Sequence, residues 1–381
     1  MKTFRKVLRY LAGIVLLLIG ILTITLEEPL YGVGFLILGI LLLPWTSSIL
    51  SKKAPAVFSS KLQIALFIGL SLLIVVSVSL FGRKTYDKTE NITPQVLSGL
   101  SKHPVKKARV NNLDYYYLEK GQGPVILLLH GFPDMANTWD ETIAELSKNY
   151  RVIAPFLRGY YPTSIPTNMD FSVKSIAGDM VQLMEKLAIK EWVVVGQDWG
   201  ASISYATANL APNKVKKVVS IAIPHPTCLK LTPGLLFAGR HFLLFGTGNY
   251  GVRYTRKNDF AYIDRLYQRW SPDYKGFQKS SNEIKETFKF PHRLEAALGY
   301  YTSLGVDQGK PDIVAFYQKI PQVPVLFLVG EQDGVYTEDI VQAMNQKMPK
   351  GSKSVVFKNA GHFLHREVFA DFMKELRPFL Q

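Results

Sequence analysis

Apolar residues fall along this chain in two rhythms. Over residues 1–82 they form long unbroken runs at 7–26, 30–50 and 62–81. Each is about 20 residues, the length a helix needs to cross a hydrocarbon core. Glu27-Glu28-Pro29 separates the first two runs, and Lys52, Lys53 and Lys61 separate the second from the third. From residue 110 onward the runs shorten and alternate with amphipathic stretches. Those at 113–118, 125–129, 151–155, 192–195, 215–223, 323–329 and 354–357 read as strands, and those at 139–146 and 171–187 as helices. Short continuous apolar strands interleaved with helices predict a mostly parallel sheet covered on both faces. The alternation lapses over 227–322, where helical, aromatic and basic segments at 260–270, 281–288 and 294–303 predict a helical cap over one edge of the sheet. The expected organisation is a three-span transmembrane region at 1–82, a polar linker at 83–109, and an α/β domain at 110–381 with its cap at 227–322.

Charge sharpens that division. Residues 1–109 hold 14 Lys and Arg against 4 Asp and Glu, so most of the formal +15 lies outside the α/β domain. The rest of the chain carries only +5 and no basic-aromatic stripe, which argues against nucleic-acid binding. The basic tail and the 52–61 loop favour the cytoplasmic side and send the third span outward, placing the α/β domain on the extracytoplasmic side. Arg83, Lys84, Lys88 and the basic residues up to Arg109 pull the other way. The first run lacks the small-residue cleavage site of a signal peptide. The single cysteine, Cys228, forms no internal disulfide and reads as a small buried hydrophobe.

The chemistry gathers at the carboxyl ends of the predicted strands. Gly196-Gln197-Asp198-Trp199-Gly200 follows the strand at 192–195 and opens a small-residue helix. This is the layout of a nucleophile elbow with an aspartate where serine usually stands. A carboxylate there attacks an sp³ carbon, opening an epoxide or displacing a halide, and leaves an ester that water must cleave. The competing structural reading is an Asp that caps the following helix. His130-Gly131-Phe132-Pro133-Asp134 follows another strand, and the N–H groups of Phe132 and Trp199 are expected to form an oxyanion hole. Asp333 in Gly330-Glu331-Gln332-Asp333, and His362 in Gly361-His362-Phe363, each follow a strand. The chain order is then nucleophile Asp198, acid Asp333, base His362. Glu331 stands two residues early for the acid. His365 reads as a helix-start residue, and His130, His225, His241 and His292 lack a comparable partner pattern. Gly246-x-Gly248-x-x-Gly251 matches a dinucleotide fingerprint by letter only, because no strand precedes it.

Taken together, His130-Gly131-Phe132-Pro133, Arg158-Gly159-Tyr160, the elbow, Gly330-x-x-Asp333 and Gly361-His362-Phe363 resemble the α/β-hydrolase superfamily. The resemblance covers residues from about 110 to the end and points to the aspartate-nucleophile branch of epoxide hydrolases and haloalkane dehalogenases. It implies catalytic residues Asp198, Asp333 and His362, no metal or organic cofactor, and a small substrate. A bilayer-anchored enzyme would take a lipophilic one. His-Gly-Phe-Pro followed by an acid is closer to epoxide hydrolases, in which two cap tyrosines hold the oxirane oxygen. Leu298-Gly299-Tyr300-Tyr301 resembles the segment of the second, assigning Tyr301 as proton donor. The first is expected near Arg240-His241-Phe242-Leu243-Leu244-Phe245, yet no tyrosine lies between Tyr205 and Tyr250, leaving Tyr250, Tyr254 or His241 as substitutes, or epoxide opening weak or absent. Two alternatives stand beside the epoxide reading: a haloalkane dehalogenase, and an inactivated hydrolase fold acting as a membrane-tethered binding protein.

Overall fold

The computed structural model describes residues 13–14, 99–230 and 232–381. The chain divides into two compact units, 1–83 and 84–381, and the second is the one described below. Apart from Gly13 and Ile14, the three expected spans lie outside the described residues. Among the described residues, no helix is long and apolar enough to cross a membrane.

The α/β domain is built on an eight-stranded sheet in the order β1-β2-β4-β3-β5-β6-β7-β8. The strands are β1 (Val105–Val110), β2 (Leu113–Lys120), β3 (Val125–Leu129), β4 (Arg151–Pro155), β5 (Trp192–Gln197), β6 (Val215–Ile221), β7 (Val325–Gly330) and β8 (Lys353–Phe357). From β4 to β8 all neighbours are parallel, while β1 and β2 form an antiparallel edge. All of β1 but Val110 falls inside the stretch read as linker. Its sequence Val-Lys-Lys-Ala-Arg-Val carries charges on an exposed edge, so its apolar signal is faint. Lys106 pairs instead with Glu119 at 2.8 Å and Lys107 with Asp114 at 2.8 Å across the hairpin. Charged edge strands of this kind resist pairing with other chains.

The helices on the sheet follow the expected pattern. α1 (Asp140–Leu146) continues a short 3₁₀ turn at Ala136–Trp139. α2 (Val173–Lys186) buries Val173, Ile176, Ala177, Met180, Leu183 and Met184, one face of a 3.6-residue period, and Ser172 caps it by accepting from the Ser175 N–H. α3 (Trp199–Leu210) follows β5 directly.

Between β6 and β7 the chain leaves the sheet to build the cap. Its helices are α4 (Pro233–Ala238), α5 (Arg240–Gly246), α6 (Asn249–Trp270), α7 (Phe277–Phe288), α8 (Arg293–Gln308) and α9 (Pro311–Gln318). α6 breaks at 257–260, where Asn258, Asp259 and Phe260 lie at positive φ, so the helix expected from residue 260 begins just after that break. The Gly246–Gly251 stretch joins α5 to α6 inside the cap, with no strand before it. After β7 come α10 (Glu338–Lys347), the short α11 (Leu364–Glu367) and α12 (Phe369–Leu380).

Strand order places the site. β3 lies between β4 and β5, so the connections leaving β3 and β5 diverge to opposite sides and open a crevice at their carboxyl ends. Leu129 pairs with Gly196 across these strands. The His130–Asp134 loop and the Asp198 turn therefore emerge side by side.

Candidate active site

β5 ends at Gln197 and α3 begins at Trp199, leaving Asp198 alone in the turn at φ 54°, ψ −120°. A non-glycine residue there is strained, and the surroundings must hold it. The Asp198 N–H donates to the Ile221 carbonyl at 3.1 Å, and its own carbonyl accepts from the Ala201 N–H at 2.9 Å. A Cβ on Gly196 would sit 2.0 Å from the Gly200 carbonyl oxygen, and one on Gly200 would sit 2.1 Å from that of Leu129. Strand, helix and neighbouring strand thus meet at a separation only hydrogen permits. The Asp198 side chain makes no bond to the helix it begins, so it is not serving as a cap. Its Oδ1 accepts the Phe132 N–H at 2.8 Å, and its Oδ2 lies 3.3 Å from Nε2 of His362. A side chain at Gly131 would collide with the Asp198 carboxylate, its Cβ falling 2.5 Å from Oδ1.

His362 bridges two carboxylates. Its Nδ1 lies 2.8 Å from Asp333 Oδ2, and its side chain is 5% exposed. Burial opposes its charge, but Asp333 and Asp198 outweigh burial and push its pKa up to about 10. The loop that carries it is fastened from several sides. The His362 N–H donates to the Trp270 carbonyl at 2.9 Å, and Gln197 Nε2 donates to the His362 carbonyl at 3.3 Å. Glu367 accepts from the Gly361 and Phe363 N–H groups, each at 2.9 Å.

The cap closes over this triad with aromatic rings. Tyr301 on α8 has ring centroids of Trp199, Phe242, Phe245, Phe132 and His241 within 4.8 to 5.6 Å. Its hydroxyl is buried and has no hydrogen-bond partner of good geometry among the described residues. Burial first, then the Asp198 charge, raises its pKa well above 10. Tyr300 beside it is satisfied, donating to the Arg158 carbonyl at 2.8 Å. The Trp199 indole Nε1 is also buried, with no partner of good geometry among the described residues, and it faces the Tyr301 phenol closely enough to oppose the rise in its pKa. Of the three residues weighed for the missing tyrosine, His241 has its ring 5.6 Å from that of Tyr301. It is 8% exposed, and its Nδ1 has no partner among the described residues. Burial, followed by the Arg269 charge, lowers its pKa to about 3, so the ring is neutral. Tyr254 packs on Tyr262 and Tyr250 instead. Sequence reasoning missed Trp270, whose ring lies 5.0 Å from that of His362. It also missed Phe242 and Phe245 as cage walls. Their only signal was their place on the helix where the first cap tyrosine was expected.

The family described as the alpha/beta hydrolase fold matches residues 124–367. The chain belongs to that family. Epoxide hydrolase 3 of Siraitia grosvenorii is 28% identical to it over 309 residues, which cover 71% of this chain and 96% of that relative. Epoxide hydrolase 1 of Caenorhabditis elegans is 28% identical over 331 residues, 84% of this chain and 80% of the relative. Among solved structures, epoxide hydrolase VrEH1 from Vigna radiata matches with a TM-score of 0.62 at 25% identity, covering 72% of this chain and 97% of that one. The protein is a hydrolase.

In the α/β hydrolase, His130, His225 and His365 tie neighbouring segments together. Nε2 of His130 accepts the Leu157 N–H at 3.0 Å, tying the loop after β3 to the one after β4, and burial lowers its pKa to about 4. His225 contacts Thr227 and the Lys319 carbonyl. His365, buried in α11, contacts Thr138 at 2.8 Å and stacks on Trp139. His292 sits before α8 in the left-handed region. Glu331 is exposed, and the acid at Nδ1 of His362 is Asp333. Arg158 of the Arg-Gly-Tyr segment forms a buried pair with Asp179, donating from Nε at 2.7 Å and from Nη2 at 2.8 Å. That pair anchors the loop after β4 to α2.

Proposed function

We propose that this hydrolase opens a lipophilic epoxide through an ester on Asp198 and releases a diol. The observation that carries the reading is Tyr301, a buried phenol whose O–H has no acceptor among the described residues, near a carboxylate that caps nothing. An alkoxide leaving group needs a proton, and an unpartnered buried hydroxyl beside the nucleophile is placed to give one. Asp198 Oδ1 is already engaged by the Phe132 N–H, so Oδ2 attacks the oxirane carbon. The ring C–O bond breaks, and the oxygen takes the Tyr301 proton. His241, a neutral imidazole in the same cage, stands in for the absent cap tyrosine as a second N–H donor to that oxygen.

In the second half, water attacks the Asp198 carboxyl carbon and gives its proton to His362 Nε2. Asp333 holds the imidazole through Nδ1. The developing oxyanion on Oδ1 meets the Phe132 N–H and the Trp199 N–H at the start of α3. Collapse expels the diol oxygen as an alkoxide, which takes the proton from His362, and the carboxylic acid left on Asp198 returns its remaining proton to the Tyr301 phenolate.

A second reading is dehalogenation. The buried Trp199 indole N–H, which has no acceptor of good geometry among the described residues, supports it, being a donor suited to a departing halide. Single turnover in ¹⁸O-enriched water tests the ester, with a panel of long-chain epoxides and haloalkanes as substrates. The expected result is label in the peptide containing Asp198 and none in the first diol released. Label in the diol alone would sink the covalent route, and turnover of haloalkanes alone with halide release would replace the epoxide reading. The third possibility, an inactivated binding protein, leaves the Asp198–His362–Asp333 geometry without a use.

We further propose that the spans at 7–26, 30–50 and 62–81 anchor the enzyme in the bilayer, with the catalytic domain on the extracytoplasmic side. The length of the apolar runs and the basic 52–61 loop support this. Recovery of the protein in the soluble fraction after alkaline washing of membranes would contradict the anchor.

A further inference from the structure

A cavity of about 430 Å³ opens beside the catalytic cage, between α4, α5, the end of α6 and the loop after β7. Its walls come from chain neighbours of the site residues. Arg240 precedes His241, Arg269 precedes Trp270, and Gln332 and Gly334 flank Asp333. Trp270 is shared between the two spaces: it lines the chamber, while its ring lies 5.0 Å from His362 and 4.8 Å from His241.

The chamber's charge is unbalanced. Among the described residues Arg269 joins no ion pair; its Nε and Nη2 are buried without a hydrogen bond of good geometry, and the group beside it is the neutral phenol of Tyr262. Among the described residues, Arg240 bonds only a backbone carbonyl, that of Phe237 at 2.7 Å. Burial and then the nearby Arg269 charge lower the pKa of Arg240, so the two guanidiniums feel each other. Asp339 is the acid on the lining; it is exposed on the rim and faces Lys230 at 3.6 Å. Gln332 donates to Asp273 at 2.7 Å, outside the lining. Neighbouring like charges that have lost part of their water and have no counter-ion are costly to the fold. A ligand anion relieves that cost, and a guanidinium pair suits the planar or tetrahedral oxygens of a carboxylate or phosphate. The remaining lining is apolar, including Leu235 and Phe237, and Leu236, Phe237 and Leu243 stand exposed on α4 and α5 around it.

We propose that this chamber binds an anionic group, carboxylate or phosphate, and that Arg240 and Arg269 hold it. The substrate is then an acidic amphiphile whose charged end occupies the chamber while its oxirane reaches Asp198 past Trp270. The turnover part of this proposal rests on the epoxide reading; the anion site itself does not.

The experiment has two arms, both on the full chain in neutral detergent. The first compares kcat/KM for a long-chain epoxy carboxylate, its methyl ester and an epoxyalkyl phosphate of equal length. An anionic substrate is expected to exceed the ester by about tenfold or more, the worth of one charge-assisted contact. That ratio falls toward one in Arg240→Gln and in Arg269→Gln, and Arg269→Lys keeps most of it. The second arm titrates octanoate and octyl phosphate, which carry no oxirane, against tryptophan fluorescence. Saturable binding to wild type is expected, weakened about tenfold or more in either Gln variant, and the tighter of the two probes assigns the anion. An anion-to-ester ratio unchanged by all three substitutions, or equal octanoate and octyl phosphate binding by wild type and Arg269→Gln, overturns the site. If no epoxide is turned over while octanoate binding still depends on Arg269, the epoxide reading fails and the anion site stands.

Discussion

Asp198 begins helix α3 without capping it, and its Oδ2 lies 3.3 Å from Nε2 of His362 instead. With Asp333 on the other ring nitrogen, burial is outweighed and the imidazole is held protonated up to about pH 10. Esterification of Asp198 removes one of the two charges that support the imidazolium. The base is thereby released only once the intermediate exists. His362→Gln is expected to leave alkylation intact and to slow ester hydrolysis by roughly 10²–10⁴-fold, the usual worth of a positioned base. Intact-protein mass spectrometry after exposure to a long-chain epoxide would then show one adduct, mapping to Asp198. A variant that stays unmodified under conditions where wild type turns over would refute the order of steps.

Asp333 does two things to His362: it fixes the Nδ1 side of the ring at 2.8 Å and supports the ring's positive charge. Asp333→Asn keeps the shape and loses both. Hydrolysis of the ester is expected to fall by roughly 10²–10⁴-fold. With less support for its charge, the imidazole loses its proton at lower pH, so the rise of ester hydrolysis with pH moves downward. A pH profile of single-turnover ester decay reads that shift. A profile that drops in height without moving would assign Asp333 to orientation alone.

Much of this was legible in the chain because buried parallel strands announce themselves as short apolar runs, and the residues just past them are forced to one sheet edge. That is how Asp198, Asp333 and His362 were found although 164 residues separate the first from the last. β1 was not found, because an exposed edge strand stabilised by Lys106–Glu119 and Lys107–Asp114 pairs has no apolar run to detect. The cap was readable as helical but not as a cage. Phe242, Phe245, His241 and Trp270 converge from α5 and α6 through tertiary packing, which leaves no spacing signal. The arginine pair at the chamber is hidden for the same reason, since Arg240 and Arg269 sit on different helices.

Tyr300 and Tyr301 are adjacent on α8, yet the burial of their hydroxyls has opposite consequences. Tyr300 donates to the Arg158 carbonyl at 2.8 Å, whereas the Tyr301 hydroxyl has no acceptor among the described residues. Tyr300→Phe leaves a buried carbonyl with less to accept and is expected to cost about 1–3 kcal/mol in stability. Tyr301→Phe removes an unsatisfied group and is expected to be neutral or slightly stabilising. Its cost falls on epoxide opening, which should slow about 10²-fold or more, while displacement of a halide is untouched. Denaturant unfolding and pre-steady-state alkylation, run on both variants, separate the two. A Tyr301→Phe enzyme that opens epoxides at the wild-type rate would remove Tyr301 as the proton donor.

The same imidazolium that waits for the ester also links stability to pH. His362 titrates near 6.5 in an unfolded chain and near 10 in the folded protein, so the folded state binds the proton more tightly. Its contribution is fully present below about pH 6.5 and is lost as pH rises through about 10. The wild-type melting temperature should therefore fall across that interval more steeply than that of His362→Gln, which has no proton to lose there. Other titrating groups act on both proteins, so the difference between the two curves isolates His362. Parallel curves from pH 6.5 to 10 would mean that the two carboxylates do not hold the ring charged in the free enzyme. The base would then be available before the ester forms, and the timing argued for His362→Gln would have to be abandoned with it.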